Sequence, residues 1–404
     1  MLLDVLVIGA GIQGVGIAQA AAAAGYSVQV LEQYPQVATG SSSRSTKLIH
    51  GGLRYLESNQ FSLVRECLLE RRYLLRNAPH LVRLVPFLIP VYRHSMRPAW
   101  MIRAGLTFYA LLGSLRREAR FCKIPRRDWK NLDGLEQDGL VAVYQYYDAQ
   151  TDDAALTAAV MQSALDLGAQ LITSATVERI DLSAANPAVS YHRAGTRDCV
   201  EARVVINATG PWVGQIVAGV TPAQVVPKID LVQGTHIIVP GRLSDRIYYV
   251  EAPSDRRAVF ILPWGEHTMV GTTESRFQGD PAQVQAKDGE VQYLLDTLAQ
   301  HFPERGVDVA QIIDKFAGLR VLPGDSGNAN RKSRDTVLQL DSVAQPRLIS
   351  VLGGKLTAYR AMAQMVLGEA RRSLPPVTPI VDTRYMRLPD VDHCEIKPFR
   401  PFAV

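Results

Sequence analysis

The strongest constraint on this chain lies at its start. Leu3–Ile8 is a short, β-branched, apolar run, the pattern of a buried strand. The turn Gly9-Ala10-Gly11-Ile12-Gln13-Gly14 follows at once. An alanine-rich helical stretch over 15–24, a breaker at Gly25 and a second strand over 27–31 come next, and Glu32 closes that strand. This is a βαβ unit with G-x-G-x-x-G at its first turn and an acid about twenty positions on, which is the arrangement that holds a dinucleotide. Gly9 permits the tight turn, Gly11 lets backbone approach a pyrophosphate, and Gly14 lets helix and strand pack closely. The helix N-terminus offers unpaired N–H groups to phosphate, and the Glu32 carboxylate accepts from ribose hydroxyls. The fingerprint alone does not separate NAD from FAD.

The remaining chain is long enough for two domains. It has 404 residues, 47% of them apolar and 21% charged, against a usual domain of roughly 100–200 residues. Four cysteines (Cys67, Cys122, Cys199, Cys394) lie far apart without Cys-x-x-Cys spacing. They read as reduced thiols of a cytoplasmic protein, and no metal site is expected. The N-terminus has no basic region ahead of its apolar run, so no secretory signal is expected, and no apolar run is long enough to span a membrane.

Two later segments repeat the logic of the first. A strand over 203–206 leads into the small-residue turn Asn207-Ala208-Thr209-Gly210, where backbone can pass close to a flat ligand. A strand over 348–352 leads into Gly353-Gly354-Lys355 and a helix predicted from Leu356, whose N-terminus would face a flavin edge. Between them, 230–240, 257–262 and 268–271 are amphipathic strands and 290–302 is helical. The fold class is α/β, α+β overall. It is a Rossmann-like FAD-binding domain of the amino-acid-oxidase/glutathione-reductase type with an inserted antiparallel-sheet substrate domain. The FAD-binding domain is assigned to 1–85, 145–225 and 335–375, the substrate or cap domain to 86–144 and 226–334, and a C-terminal tail to 376–404. The acidic pair Asp152-Asp153 is expected to cap a helix starting at Ala154.

Residues 40–57, GSSSRSTKLIHGGLRYLE, closely resemble the hallmark segment of the FAD-dependent glycerol-3-phosphate dehydrogenases of aerobic type. RPAWMIRAGL (97–106), YYDAQTDDAALT (146–157), INATGPWV (206–213), VQGTHIIVP (232–240), LPWGEHTMVGTTE (262–274), AGLRVLPGD (317–325), SRD (333–335) and LGGKLTAYR (352–360) resemble the same family in the same order. Three details depart from its usual pattern: Ala317 and Val321 around Arg320, and Glu274 in place of Asp. The family usually continues into a C-terminal helical domain, for which no counterpart is expected before Val404.

The resemblance implies FAD as cofactor. It implies oxidation of sn-glycerol 3-phosphate to dihydroxyacetone phosphate, by hydride transfer from carbon 2 to flavin nitrogen-5. The cofactor-binding residues are then Gly9, Gly11, Gly14, Glu32, Gln33, Ser42, Ser43, Arg44, Ser45, Lys47, Leu48, His50, Gly51, Gly52, Val177, Ala208, Thr209, Gly210, Gly353, Gly354, Lys355, Leu356 and Thr357. The substrate binders are Arg54, Tyr55, Thr272, Thr273 and Arg334. His236, Arg320 and Lys355 are the catalytic candidates, and His50 is expected against the flavin. The chemistry agrees. Arginine forks bind phosphate in two places at once, and histidine is the natural proton acceptor for an alcohol. Which of His236, Arg320 and Lys355 limits the rate stays open.

Residues 98–127 carry seven Lys/Arg and one acid, Glu118, among aromatic and aliphatic residues. This reads as a basic amphipathic helix, either on the inner face of the plasma membrane or packed on the core. Family members commonly pass electrons to quinone, so quinone or another acceptor is the expected partner, beside a small phosphorylated polyol. No nucleic-acid motif accompanies the charge. The oligomeric state stays open, with a dimer as one reading. Two other readings remain: an FAD-dependent amino-acid or 2-hydroxyacid oxidase or dehydrogenase, and a non-catalytic FAD-binding relative.

Overall fold

A computed structural model describes residues 2–324, 336–390, 395–397 and 399. Two sheets organise the chain. The first has the strand order Val220–Thr221, Ala175–Asp181, Ala188–Arg193, Thr196–Asn207, Leu3–Ile8, Val28–Leu31 and Gln170–Ile172. Leu348–Leu352 also pairs with Thr196–Asn207 and carries Val337–Leu340 on its far side. The centre of this sheet is parallel. Its strands are continuous apolar runs because both faces are covered. The helix Ile12–Ala23 lies between the helices Asp153–Asp166 and Tyr359–Ala370. Its small residues allow that closeness: a Cβ on Gly16 would stand 2.6 Å from Cδ2 of Tyr359.

The second sheet has the order Ser275–Phe277, Ile229–Val239, His267–Gly271, Ala258–Trp264, Ile247–Glu251, Val82–Tyr92, Leu140–Thr151 and Leu48–Ile49. Asp314–Pro323 pairs with Ile229–Val239 and Cys122–Lys123 with Leu140–Thr151. It is antiparallel as expected, save for one parallel pair between Ile247–Glu251 and Val82–Tyr92. The helix Asp288–His301 packs its Val291, Leu294, Leu295 and Leu298 into an apolar cluster with Ile237, Val259 and Ile261 of the sheet. The chain changes sheets at Thr151. Residues 145–151, read from sequence with the nucleotide-binding part, belong to the second sheet.

Three local expectations need correction. The helix after Gly353-Gly354 starts at Tyr359, not Leu356. Both glycines have positive φ (+81° and +109°), and the Ala358 N–H closes a turn onto Lys355 O before the helix begins. The basic run 98–127 is not one helix: Ala99–Leu112 ends at Gly113, and Ser114 and Leu115 follow with positive φ. The acidic pair divides its work. Asp152 caps the helix by accepting from Ala155 N–H at 3.0 Å, while Asp153 turns into the core.

Candidate active site

A cavity of about 480 Å³ lies where the two sheets meet. That is within the usual size of a small-molecule site. One end is the first βαβ turn. Gly9 has φ +100°, and a Cβ there would lie 2.9 Å from Ala208 O. A Cβ on Gly14 would lie 1.8 Å from Gly9 O, so Gly14 holds the turn without reaching the cavity. Gly11 caps the helix with no side chain, and Ser42 Oγ accepts the Ile12 N–H at 2.9 Å. Glu32 accepts the N–H of Ala10 at 2.6 Å and of Tyr34 at 2.9 Å, one on each oxygen. Each oxygen keeps a second lone pair for a hydroxyl. Burial pushes the Glu32 pKa up, against those backbone hydrogen bonds.

The far end is polar and cationic. Tyr55, His236, Thr272, Glu274, Arg320 and Lys355 line it. Lys355 Nζ sits 4.3 Å from the centre of the Tyr55 ring. Arg320 donates to Thr273 O at 3.4 Å and lies 3.7 Å from Glu274. Glu274 also pairs tightly with Arg257. The His236 ring stacks on Phe316 (4.9 Å, 13°), and its Nε2 is 3.0 Å from Thr46 Oγ1. Its Nδ1 is buried with no hydrogen-bond partner among the described residues. Burial, with the Lys47 and Arg320 charges added, pushes the His236 pKa down to about 3.

The cavity wall gathers most of the residues singled out from sequence: Gly9, Gly11, Glu32, Gln33, Ser42, Arg44, Ser45, Leu48, His50, Val177, Ala208, Thr209, Gly210 and 353–357 at the cofactor end. Others do not reach it. Lys47 (φ +62°) points inward, pairs with Asp153 and donates to Ser43 O. The Ser43 hydroxyl donates to Gly40 O. Gly51 N–H donates to Tyr109 OH at 2.9 Å, and a Cβ there would strike that oxygen, so Gly51 and Gly52 shape the turn from behind. Arg54 lies outside the wall, near enough to the half-buried Tyr249 for its charge to oppose the rise that burial gives that phenol. Thr273 Oγ1 accepts Thr235 N–H and donates to Glu290, facing away. Arg334 falls outside the described residues.

The sequence reading missed several residues. Gln13, Tyr34, Thr46 and Trp212 line the cavity. Asn207 is fully buried; it accepts from Thr209 Oγ1 and donates to Val213 O, which fixes the 207–210 turn. Only its place at the end of a strand hinted at this.

The glycine turns suit FAD: a Cβ on Gly9 would meet Ala208 O and one on Gly354 would stand 2.6 Å from Gln13 Nε2, so both turns pack too closely for any side chain beside the cavity. The buried Gln13 Oε1 has no hydrogen-bond partner among the described residues and is available to a ligand. Comparison with known proteins agrees. The FAD dependent oxidoreductase (DAO) family matches residues 4–360. The chain is 40% identical over 370 residues to a glycerol-3-phosphate dehydrogenase of Pseudomonas aeruginosa, covering 90% of this chain and 70% of that one. It is 34% identical over 383 residues to a D-erythritol 1-phosphate dehydrogenase of Brucella abortus, covering 92% and 74%. Among solved structures, the glycerol-3-phosphate dehydrogenase of Bacillus halodurans complexed with FAD superposes with a TM-score of 0.73 at 26% identity, covering 96% of this chain and 68% of that one. The chain belongs to the FAD-dependent oxidoreductase family, on its glycerol-3-phosphate dehydrogenase branch.

Proposed function

We propose that this protein oxidises the secondary alcohol of sn-glycerol 3-phosphate, or of a closely related phosphorylated polyol. The observation that carries this reading is the continuity of one cavity from the Gly9–Glu32 turn to the group formed by Arg320, Lys355, Tyr55, Thr272 and His236. FAD, when bound, supplies the acceptor for the substrate's hydride. Arg320 gives the phosphate a planar, permanently charged partner. Lys355, held over the Tyr55 ring, supports negative charge on the reacting oxygen. Burial and the neighbouring Lys47 and Arg320 charges push the His236 pKa down to about 3, which makes its imidazole a weak proton acceptor. Its part is to orient the substrate by hydrogen bonding, and the cations favour the alkoxide. The names of the Pseudomonas and Brucella relatives place three- and four-carbon polyol phosphates within this branch.

Anaerobic mixing with sn-glycerol 3-phosphate tests the reading. The visible band of oxidised flavin should bleach, and it should stay with glycerol or amino acids. Arg320→Ala should keep FAD and lose the bleaching. A fully FAD-loaded protein that no polyol phosphate bleaches would overturn the proposal.

The same proposal includes delivery of electrons to quinone at a membrane surface. Among the described residues no helix is long and apolar enough to cross a membrane. The helix Ala99–Leu112 nevertheless exposes Trp100 (69%) and Leu111 (53%), and Phe108 packs edge-on against the exposed Phe61. Arg103, Arg116 and Arg120 are exposed beside them. Its buried Tyr109 contacts Gly51 behind the cavity wall. An exposed apolar helix that carries Arg103 and is followed by Arg116 and Arg120 suits an anionic interface. Co-sedimentation with anionic vesicles, lost in Trp100→Ala/Leu111→Ala, is expected; equal sedimentation of both proteins argues against this face.

A further inference from the structure

The strand Ile229–Val239 changes partners in mid-course. Residues His236–Val239 pair with Thr268–Gly271, whereas Leu231–Gln233 pair with Ser275–Phe277. Gly234 and Thr235 therefore stand opposite Thr272, Thr273 and Glu274, where the regular ladder is interrupted. The interruption has a chemical result. Thr272 and Glu274 face the cavity, and Thr273 between them faces the other way. Gly234 leaves room for the Thr272 side chain: a Cβ there would stand 2.4 Å from Thr272 Oγ1.

Across the gap Thr273 N–H donates to Thr235 O at 3.3 Å, and one carboxylate gathers the polar side chains around it. Glu290, in the first turn of the helix Asp288–His301, accepts from Thr235 Oγ1 at 2.7 Å and Gln233 Nε2 at 2.6 Å on one oxygen. On the other it accepts from Ser275 Oγ at 2.7 Å and Thr273 Oγ1 at 3.1 Å. All four donors flank the interruption. Thr273 is doubly tied, since its Oγ1 accepts Thr235 N–H at 2.9 Å. Its carbonyl receives Arg320 at 3.4 Å. Burial alone would raise the Glu290 pKa, but the hydrogen bonds from Thr235, Ser275, Lys287 and Thr273 outweigh it and hold the carboxyl below its ordinary range.

We propose that Glu290, outside the cavity, is a positioning residue that fixes the Thr272–Glu274 edge and the Arg320 guanidinium in their substrate-binding arrangement. The inference rests on the polyol-phosphate reading. Charge-assisted hydrogen bonds to one carboxylate set the geometry of residues on two strands, and loosening them acts on substrate binding rather than on flavin binding. An amide in place of the carboxylate keeps the shape but cannot accept on both heads.

The test uses full-length, FAD-loaded protein in steady-state assays with sn-glycerol 3-phosphate and an artificial acceptor. Glu290→Gln is expected to raise KM about tenfold, equivalent to ~1.4 kcal/mol of lost binding, with kcat within about twofold, the pattern of lost uniform binding. Thr273→Val removes the donor from the other side and should raise KM likewise. The double variant should be no worse than the poorer single, because both break one network. A role in folding alone would lower the melting temperature or FAD content and leave KM of the loaded protein unmoved. Unchanged KM in Glu290→Gln, or fully additive effects in the double variant, overturns the proposal. If Glu290→Gln does not fold, Thr273→Val and Ser275→Ala decide: wild-type KM in both overturns it. Failure of the wild-type protein to bleach with any polyol phosphate sinks the parent reading instead, and the two failures are thereby told apart.

Discussion

Removal of Asp153 should cost far more than its size suggests. The residue is fully buried at the start of its helix. Its carboxylate accepts Ser45 N–H at 2.9 Å and Ser45 Oγ at 2.6 Å, and it pairs with Lys47, itself 2% exposed. Asp153→Ala leaves the Lys47 ammonium in the core with Ser43 O and strands the Ser45 donors. Breaking a buried pair from one side costs about 3–5 kcal/mol. Unfolding entropy of about 2.1 cal/mol/K per residue converts this to a fall of about 4–6 °C in melting temperature for a chain of this length. The function should suffer too, since Arg44, Ser45, Thr46 and Leu48 of the same segment line the cavity. FAD should therefore bind more weakly. Replacing both partners, as Lys47→Met/Asp153→Leu, should recover the part of the loss that the lone charge causes, while the Ser45 donors stay unpaired. Scanning calorimetry at several scan rates, with and without excess FAD, reads both effects. A single variant as stable as wild type, or a double variant no better than the single, would refute the claim that this pair pins the segment.

Two further outcomes follow from the geometry. Gly14→Ala drives a Cβ into Gly9 O, a backbone atom that cannot step aside, so FAD affinity should collapse while a folded core persists; fluorescence titration with FAD showing an unchanged Kd would contradict this. His236 is buried neutral with its pKa lowered to about 3, so between pH 6.5 and 3 the unfolded chain carries a proton that the folded one does not. This contribution is whole above pH 6.5 and shrinks as pH falls, by at most about 1.4 kcal/mol per unit. Urea unfolding of His236→Asn should therefore weaken less steeply from pH 6.5 to 4 than wild type, and equal slopes would be the contrary result.

The first βαβ unit was legible because its information is local. Strand, glycine spacing, helix and acid all fall within thirty-two residues, and the structure forms the strand–turn–helix–strand unit there, with Glu32 also accepting the Ala10 N–H of the turn. The signature segment shows where legibility ends. From Ser42 to Leu48 the sequence marks a run of candidate ligands, yet Ser42, Arg44, Ser45 and Leu48 face the cavity while Ser43 and Lys47 face Gly40 and Asp153. Belonging to a motif does not tell the face that meets a ligand from the face that holds the loop. For Ser43 that is decided by a carbonyl three positions away, and for Lys47 by a carboxylate 106 positions away. Thr272 and Thr273 differ in the same manner, since the interrupted ladder turns one to the cavity and the other to Glu290. Glu290 carries no sequence signal at all. An acid in the first turn of a helix reads as a dipole partner on a wet surface, and only the docking of that helix under the sheet converts it into an acceptor for three hydroxyls. The part of the site that touches ligand is written in short motifs, whereas the part that holds those motifs still is written in pairs that only the fold brings together. Polar residues that the fold buries, such as Asp153 and Asn207, or ties to distant partners, such as the half-buried Glu290, are therefore where substitution should be most damaging and least foreseeable from sequence.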